Sequence, residues 1–330
     1  MSDKVRMAVI GTGHFGTFHA QKIAASDRAT LVAVADIDSA RAAAVGAELN
    51  VPAVTDYREL LGKVDAASIT VPTHSHFEVA RDCLDNGIHV LVEKPITDRL
   101  ATADDLIALA EARGRILQVG HLVRFSGVAE SLRRHATQPL YIDSVRITPF
   151  SGRSTDINVV LDLMIHDIDL VISLVNAPIL SIDAAGAPVF TDQEDICSAR
   201  IKFANGCIAT ITASRISFKT ERRMRIFQPN SYLSVNFDAQ TLTVARRAAG
   251  DSPRSAVDIS EEKYEEVDAL AQEIESFIDC VREGRRPVVD GEQGRQALEA
   301  ALIATRELQE HARFVMEASH DPGLGKRARS

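Results

Sequence analysis

Three side chains of this 330-residue chain could manage a proton at a reacting oxygen: Lys94, Asp162 and His166. Lys94 stands in Glu93-Lys94-Pro95, directly after the apolar run Ile88 to Val92, and Pro95 biases it towards extended backbone. Asp162 and His166 are four residues apart, so on an α-helix they share one face, with Asp169 and Ser173 continuing the stripe. A histidine oriented by a carboxylate can take a proton from a hydroxyl near neutral pH, as oxidation of an alcohol requires. The same residues also suit a buried His–Asp hydrogen bond with no catalytic role, and a lysine at a strand end is commonly just solvated.

A second constellation supplies the other half of such a reaction. Val9-Ile10 runs into Gly11-Thr12-Gly13-His14-Phe15-Gly16 and then a helical pattern, the strand–turn–helix setting in which a GxGxxG match has meaning. Gly11 permits the tight turn, Gly13 lets a pyrophosphate approach the backbone, and Gly16 lets helix and strand pack closely, with the phosphates at a helix N-terminus. Asp36 lies twenty residues beyond Gly16 at the end of an apolar run. There a carboxylate can accept from both ribose hydroxyls and repel a 2′-phosphate, which predicts NAD rather than NADP. A helix N-cap is the bland alternative for Asp36, but Asp38 or Ser39 could fill that role.

The elements that must position these groups follow from periodicity. Short β-branched runs (Val5–Ile10, Leu31–Ala35, Ala66–Thr70, Ile88–Val92, Ile116–Val119) alternate with helical stretches near His14–Ser26, Ser39–Leu49, Ser75–Asn86 and Thr102–Ala112. This predicts a doubly wound parallel sheet, a Rossmann domain over 1–121. Beyond it the alternating runs Tyr141–Thr148, Cys197–Phe203, Cys207–Ser214, Arg222–Phe227 and Tyr232–Phe237 predict an α+β domain over 122–330 with a large, mostly antiparallel open sheet. Asn205-Gly206 is a hairpin signal that would pair Ala204 with Cys207. A polar linker is expected around Gly250–Pro253, long helices over Glu262–Glu283 and from Gln293 to about Met316, and a frayed basic tail.

Composition narrows the classes. Length alone favours two cores, and a net charge of -9 disfavours general nucleic-acid binding. The four cysteines show no CxxC spacing, the first residues lack the apolar stretch of a secretory signal, and the apolar run Val159 to Val175 is broken by Asp162, His166, Asp167 and Asp169. Reduced thiols, a cytoplasmic address, no membrane span and no metal are expected.

Taken together, the GTGHFG loop, Asp36, Thr70-Val71-Pro72-Thr73-His74-Ser75-His76, Glu93-Lys94-Pro95, Val119-Gly120-His121 with Arg124-Phe125, and Asp162-xxx-His166 resemble the ordered motifs of the Gfo/Idh/MocA oxidoreductases. The likeness covers nearly the whole chain, and EIESFIDCVREGRRP is similar to the family helix that returns towards the cofactor domain. The resemblance implies that Thr12, His14, Phe15, Thr70, Pro72, His76, Glu93, Lys94 and His121 join the glycines and Asp36 around NAD. It implies that Lys94, Asp162 and His166 surround a reacting carbinol, with His166 the base, Asp162 its orienter and Lys94 a hydrogen-bond donor; lysine as the base stays open. The stretch Arg146 to Asp169 is most similar to the branch that oxidises the 3-hydroxyl of UDP-N-acetylglucosamine ahead of transamination for lipid A. On that likeness Lys94, Arg124, Arg153, Ser154, Asn158 and His166 would hold the nucleotide sugar, and the second sheet would form a homodimer or homotetramer face. Family members often carry Asn where Ser126 stands here. A dehydrogenase of free polyols and a non-catalytic NAD-binding sensor are the competing readings.

Overall fold

The computed structural model describes residues 4–152, 157–248, 257–265 and 267–320, the side chains of 314–320 excepted. The chain forms two compact units: Met1–Ser126 with Val267–Leu298, and Gly127–Glu266 with Glu299–Ser330. The first boundary therefore falls five residues later than the expected one, and a late segment belongs to the first unit.

The first unit starts as β1 (Val5–Ile10), α1 (His14–Ala25), β2 (Ala29–Ala35), α2 (Ser39–Leu49) and β3 (Ala53–Val54). It continues as β4 (Ala66–Ile69), α3 (His76–Asp85), β5 (His89–Glu93), α4 (Leu100–Arg113) and β6 (Leu117–Gly120). The sheet order is β3-β2-β1-β4-β5-β6 with every pair parallel, the doubly wound arrangement expected. Order reverses between β1 and β4, so the ligand crevice of such a sheet lies at the carboxyl ends of those strands. Met7–Ile10, Ala66–Ile69 and Val90–Val92 are buried throughout, which is why they read as continuous apolar runs. The edge strand β3 has two residues, too few for any periodicity to announce it.

The second unit holds α5 (Gly127–His135), β7 (Tyr141–Ile147), a π-helical turn (Val160–Met164) leading into α6 (Ile165–Val175), and β8 (Ile179–Ala187). After these come β9 (Ile196–Phe203), β10 (Ile208–Ser214), β11 (Glu221–Gln228), β12 (Ser231–Asn236), β13 (Thr241–Arg247) and β14 (Val257–Lys263). Its eight-stranded sheet runs β14-β13-β12-β11-β7-β10-β9-β8, antiparallel except for β7 beside β10. In β9 Cys197, Ala199, Ile201 and Phe203 are buried while Ser198, Arg200 and Lys202 are exposed. Helices α5 and α6 pack on the sheet. Tyr141, Phe227 and Tyr232 form an aromatic row on residues facing away from that buried side.

Two local expectations are corrected. The Asn205-Gly206 turn pairs Lys202 with Ile208, and Phe203 N–H donates to Cys207 O at 2.9 Å, one residue out of the expected register. Three residues turn the chain, with Gly206 at φ +86°, so Cys197 faces Ala213 rather than Ser214. Glu262 and Lys263, expected to begin a helix, instead end the strand Val257–Lys263, because its ladder with β13 outweighs their helical propensity. The expected linker at 250–253 and the basic tail lie outside the described residues.

The helix α7 (Ala269–Glu283) begins at the Asp268 cap, whose Oδ1 accepts from Ala271 N–H at 3.0 Å. Ile274, Phe277 and Ile278 complete the core formed by Val5, Met7, Ala20 and Ile23, so a late segment closes the first core. Arg28 bonds Glu275 at 2.8 Å and pairs with Asp279 at the helix rim. The last helix, α8 (Gly291–His320), starts close against β6, where a side chain at Gly294 would meet Val119 Cγ2 at 2.5 Å. All four cysteines are buried and unpaired, and among the described residues no helix is long and apolar enough to cross a membrane.

Asp195, fully buried, fastens the β8–β9 connection. Its carboxylate accepts the N–H groups of Val189, Phe190 and Thr191 at 2.6–3.0 Å and Arg215 Nε at 2.8 Å. Burial by itself pushes this carboxyl's pKa up, but those donors outweigh burial and hold it below the ordinary range. Asp195→Ala strands Arg215 without its anion, and the expected loss is ~3–5 kcal/mol in urea unfolding. A loss below about 1 kcal/mol, the scale of an exposed pair, would show that the pair is not structural.

Candidate active site

The loop after β1 is shaped by close backbone approach. Gly11 has φ +95°, and a Cβ there would lie 2.8 Å from the Thr70 carbonyl carbon and oxygen. A Cβ on Gly16 would lie 1.8 Å from Gly11 O and 2.6 Å from Thr70 Oγ1, whose hydroxyl donates to Gly11 O at 2.6 Å. Gly13 differs: a Cβ there meets nothing within 4 Å, and this residue begins α1 with no side-chain cap. The helix thus presents its first N–H groups to an open cradle, which suits a pyrophosphate. His14, Phe15 and Phe18 lie exposed beside it, His14 packed edge-on against both rings.

Asp36 sits just past β2 and is free of capping duty. The α2 cap is Asp38, whose Oδ1 accepts from Ala40 and Arg41 N–H at 3.0 and 3.1 Å. Asp36 Oδ2 accepts Thr12 N–H at 2.7 Å and Thr12 Oγ1 at 3.1 Å, while Oδ1 accepts Asp38 N–H at 2.9 Å and Arg41 Nη2 at 3.0 Å. Burial raises its pKa, but the bonds from Asp38, Thr12 and Arg41 prevail and the carboxyl titrates low, so it is charged at neutral pH. Uncapped N–H groups, the open Gly13 cradle and a fixed carboxylate at the next strand end fit an adenosine diphosphate carrier such as NAD.

The ends of β4, β5 and β6 gather the remaining residues of the first unit. His76, buried, spans two loops: Nδ1 lies 2.8 Å from Pro95 O and Nε2 2.9 Å from Val71 O. Burial pulls its pKa down, and the two carbonyl acceptors oppose that shift. Pro72 O accepts Ser75 N–H at 2.8 Å and shapes the turn between β4 and α3. Glu93 Oε2 accepts Lys94 N–H at 3.2 Å, and the Lys94–Pro95 peptide is cis. Gly120 makes room for that glutamate, since a Cβ there would lie 2.9 Å from Glu93 Oε1. His121 and Arg124 are buried, with His121 O accepting Arg124 N–H at 3.0 Å and Val288 O accepting Arg124 Nη2 at 3.4 Å. Ser126 Oγ donates to Val123 O at 3.0 Å and so closes the short turn it follows.

The second unit positions Asp162 and His166. Asp162 lies in the π-helical turn and His166 is the second residue of α6, so the pair does not sit on one unbroken α-helix as the spacing had suggested. An extra residue per turn rotates Asp162 relative to the α-helical stripe, and such π turns recur at functional sites. Asn158 is spent on the same feature: its Oδ1 accepts Val160 and Leu161 N–H at 3.2 and 3.1 Å, capping the turn. Next to His166, Asp167 pairs with Arg146 and accepts Ser144 Oγ at 2.8 Å, which fixes α6 to β7. Arg153 and Ser154 lie outside the described residues. Asp143 on β7 holds Arg225 at 2.6 Å.

Sequence reasoning missed Arg41 and a buried group comprising His19, Ser68 and Glu273. His19 Nδ1 is 2.8 Å from Ser68 Oγ and its Nε2 3.1 Å from Glu93 Oε1. A signal existed in each case: His19 and Glu273 stand on the apolar faces of α1 and α7, beside Ala20 and Ile23 and beside Ile274 and Phe277.

The pairing of Asp36 with Arg41 sharpens the cofactor prediction. Asp36→Ala removes the charge that opposes a 2′-phosphate and also leaves Arg41 without that partner, so NADP affinity should rise as NAD affinity falls. Titration of both cofactors checks it, and adding Arg41→Ala should cancel the NADP gain. Equal affinity of the native chain for NAD and NADP would refute this role for Asp36.

The family model for the Gfo/Idh/MocA oxidoreductases with an NAD-binding Rossmann fold matches residues 5–121, and that for the Gfo/Idh/MocA C-terminal domain matches 137–230. UDP-N-acetylglucosamine 3-dehydrogenase of Acidithiobacillus ferrooxidans is 41% identical over 305 residues, 90% of this chain and 95% of that one. Myo-inositol 2-dehydrogenase of Thermotoga maritima is 27% identical over 341 residues, 95% and 99% of the two chains. The solved structure of the Acidithiobacillus enzyme, GnnA, superposes with a TM-score of 0.89 at 40% identity, covering 94% of this chain and 99% of that one. That of scyllo-inositol dehydrogenase from Lactobacillus casei, with bound cofactor NAD(H) and scyllo-inositol, shares the fold at a TM-score of 0.80 and 19% identity, over 93% and 98%. With both halves matched and the dinucleotide loop intact, the chain belongs to the Gfo/Idh/MocA family of NAD-binding oxidoreductases.

Proposed function

We propose that this oxidoreductase removes the 3-hydroxyl proton and the hydride on C3 of UDP-N-acetylglucosamine to give the 3-keto sugar, which an aminotransferase consumes on the way to the 2,3-diamino sugar of lipid A. The observation that carries this reading is the 41% identity, over 90% of the chain, to an enzyme of that name. Inositol dehydrogenases match at lower identity, 27% for that of Thermotoga.

Lys94, Asp162 and His166 act on one carbinol in this reading. The Gly11–Gly16 loop and Asp36, with His14, Phe15, Thr70, Pro72, His76, Glu93 and His121, would hold NAD, which would supply the acceptor for the carbon-bound hydrogen and its electron pair. His166 takes the hydroxyl proton, and Asp162 sets the imidazole's orientation. Lys94 donates a hydrogen bond to the same oxygen and so favours its alkoxide character. Arg124, Arg153 and Ser154 serve the diphosphate; Asn158 acts indirectly, through the turn that carries Asp162.

A cytoplasmic address accords with four buried, unpaired cysteines. Assembly into a homodimer or homotetramer through the second sheet accords with its open aromatic row and with exposed Leu180 on β8 and Ile259 on β14.

His166→Asn keeps approximate shape and removes the titrating group, so turnover should fall on the order of 10²–10⁴-fold with NAD binding little changed. Asp162→Asn should lose less, because an imidazole remains. Near-normal turnover of His166→Asn would move the base to Lys94 or another group.

Substrate identity is tested with purified protein, NAD and a sugar panel, the ketone trapped by an aminotransferase. Remote contacts to uridine and diphosphate position the ring, so free N-acetylglucosamine should lose turnover as well as affinity. Robust oxidation of inositol or glucose, with no reaction of any nucleotide sugar even under trapping, would refute the assignment and leave the dehydrogenase reading intact.

A further inference from the structure

Beneath the strand end that carries Lys94 lies a group of polar side chains, of which the reaction outlined above uses Glu93 alone, at the cofactor. His19 from α1, Glu93 from β5 and Glu273 from α7 each bring one nitrogen or carboxylate oxygen within 4.8 Å of the others. His19, Ser68 and Glu273 are buried almost completely. The hydrogen bonds are shared unequally. Glu93 receives His19 Nε2 at 3.1 Å on one oxygen and Lys94 N–H at 3.2 Å on the other. Both oxygens of Glu273 are buried and have no hydrogen-bond partner. On its backbone the same residue accepts Gln118 Nε2 at 3.3 Å, which pins α7 to β6 without serving the carboxyl.

Two carboxylates this close, Glu273 fully buried and Glu93 partly so, cannot both hold a charge unless each has its own donors, and one histidine cannot serve both. Glu93 has the donors, faced by His19, Lys94 and His76, and titrates low: burial raises its pKa, and His19 with the nearby charges more than reverses the rise. Among the described residues Glu273 has the His19 ring and Glu93 as titratable neighbours, and burial followed by repulsion from Glu93 drives its pKa well up.

We propose that Glu273 is a positioning residue held as a neutral carboxylic acid, whose proton faces the Glu93 carboxylate. Ser68, His19, Glu93 and Glu273 then form one buried polar unit that sets the end of β5, and through it the backbone of Lys94. The alternative occupant of the same three ligand atoms, a divalent cation, would have three protein ligands among the described residues, and two of those already bond each other directly. The functional consequence rests on the role of Lys94 given above; the protonation state does not.

Infrared difference spectra with isotope-labelled glutamate separate the two. The native protein at neutral pH should show the C=O stretch of a protonated carboxylic acid, and Glu273→Gln, which copies the neutral form, should lack it. In turnover, Glu273→Ala should lower kcat by about tenfold or more with KM for NAD little changed, an estimate on the scale of misplacing a reacting group. Glu273→Gln should restore most of that loss. The proposal is overturned if the native protein lacks the band, if Glu273→Gln loses as much kcat as Glu273→Ala, or if a divalent metal co-purifies stoichiometrically and is lost in Glu273→Gln. Should Glu273→Ala fail to fold, the band and the kcat of Glu273→Gln against the native enzyme still decide. Unchanged activity in Lys94→Ala with the band present would refute the lysine's role and leave the neutral acid standing.

Discussion

Helix α1 reaches the first sheet only because residue 16 has no side chain: a methyl group there would stand 1.8 Å from Gly11 O. That contact sets the rest of the cofactor half. It brings Thr70 Oγ1 onto the Gly11 carbonyl at 2.6 Å and so locks the ends of β1 and β4 together at the point where strand order reverses. With the backbone so close, the N-terminus of α1 is delivered to the crevice, and Gly13 can leave it open. The same closeness places His19, one turn further along α1, above Ser68 and Glu93. One steric constraint thereby links the cofactor cradle to the strand that ends in Lys94.

A second theme is how buried carboxylates are supplied with donors. Asp36 is held by Thr12, Asp38 and Arg41, Asp167 by Ser144 and Arg146, and Asp195 by three backbone N–H groups and Arg215. Each bundle of donors offsets desolvation and also ties together segments far apart in sequence. Asp167 fastens α6 to β7 immediately after His166. Glu273 departs from this pattern, which makes its charge state informative.

The π-helical turn at Val160–Met164 shows how local geometry departs from what residue spacing suggests. Four-residue spacing put Asp162 and His166 on one stripe of a regular helix. The chain instead widens by a residue per turn where Asp162 sits, with Asn158 capping the widened end. A polar side chain chosen as a ligand group thus turned out to shape the backbone that carries another.

By itself the sequence determined whatever depends on short-range order. Continuous apolar runs marked β1, β4 and β5, the glycine spacing marked the tight loop after β1, and Asp36 marked a carboxylate fixed at a strand end, since sterics and strand termini act over a few residues. Motif order also pointed to Lys94, Asp162 and His166. Tertiary structure decided what depends on partners distant in the chain. Strand β14 formed because β13 offered it a ladder, against the helical preference of Glu261–Lys263. The hairpin register shifted by one because Gly206 took a left-handed conformation within a three-residue turn. Helix α7, some 250 residues after β1, closed the first core and carried Glu273 to Glu93. Periodicity reports which face of an element is buried but not against what, and the charge of a buried acid is set by those unseen neighbours.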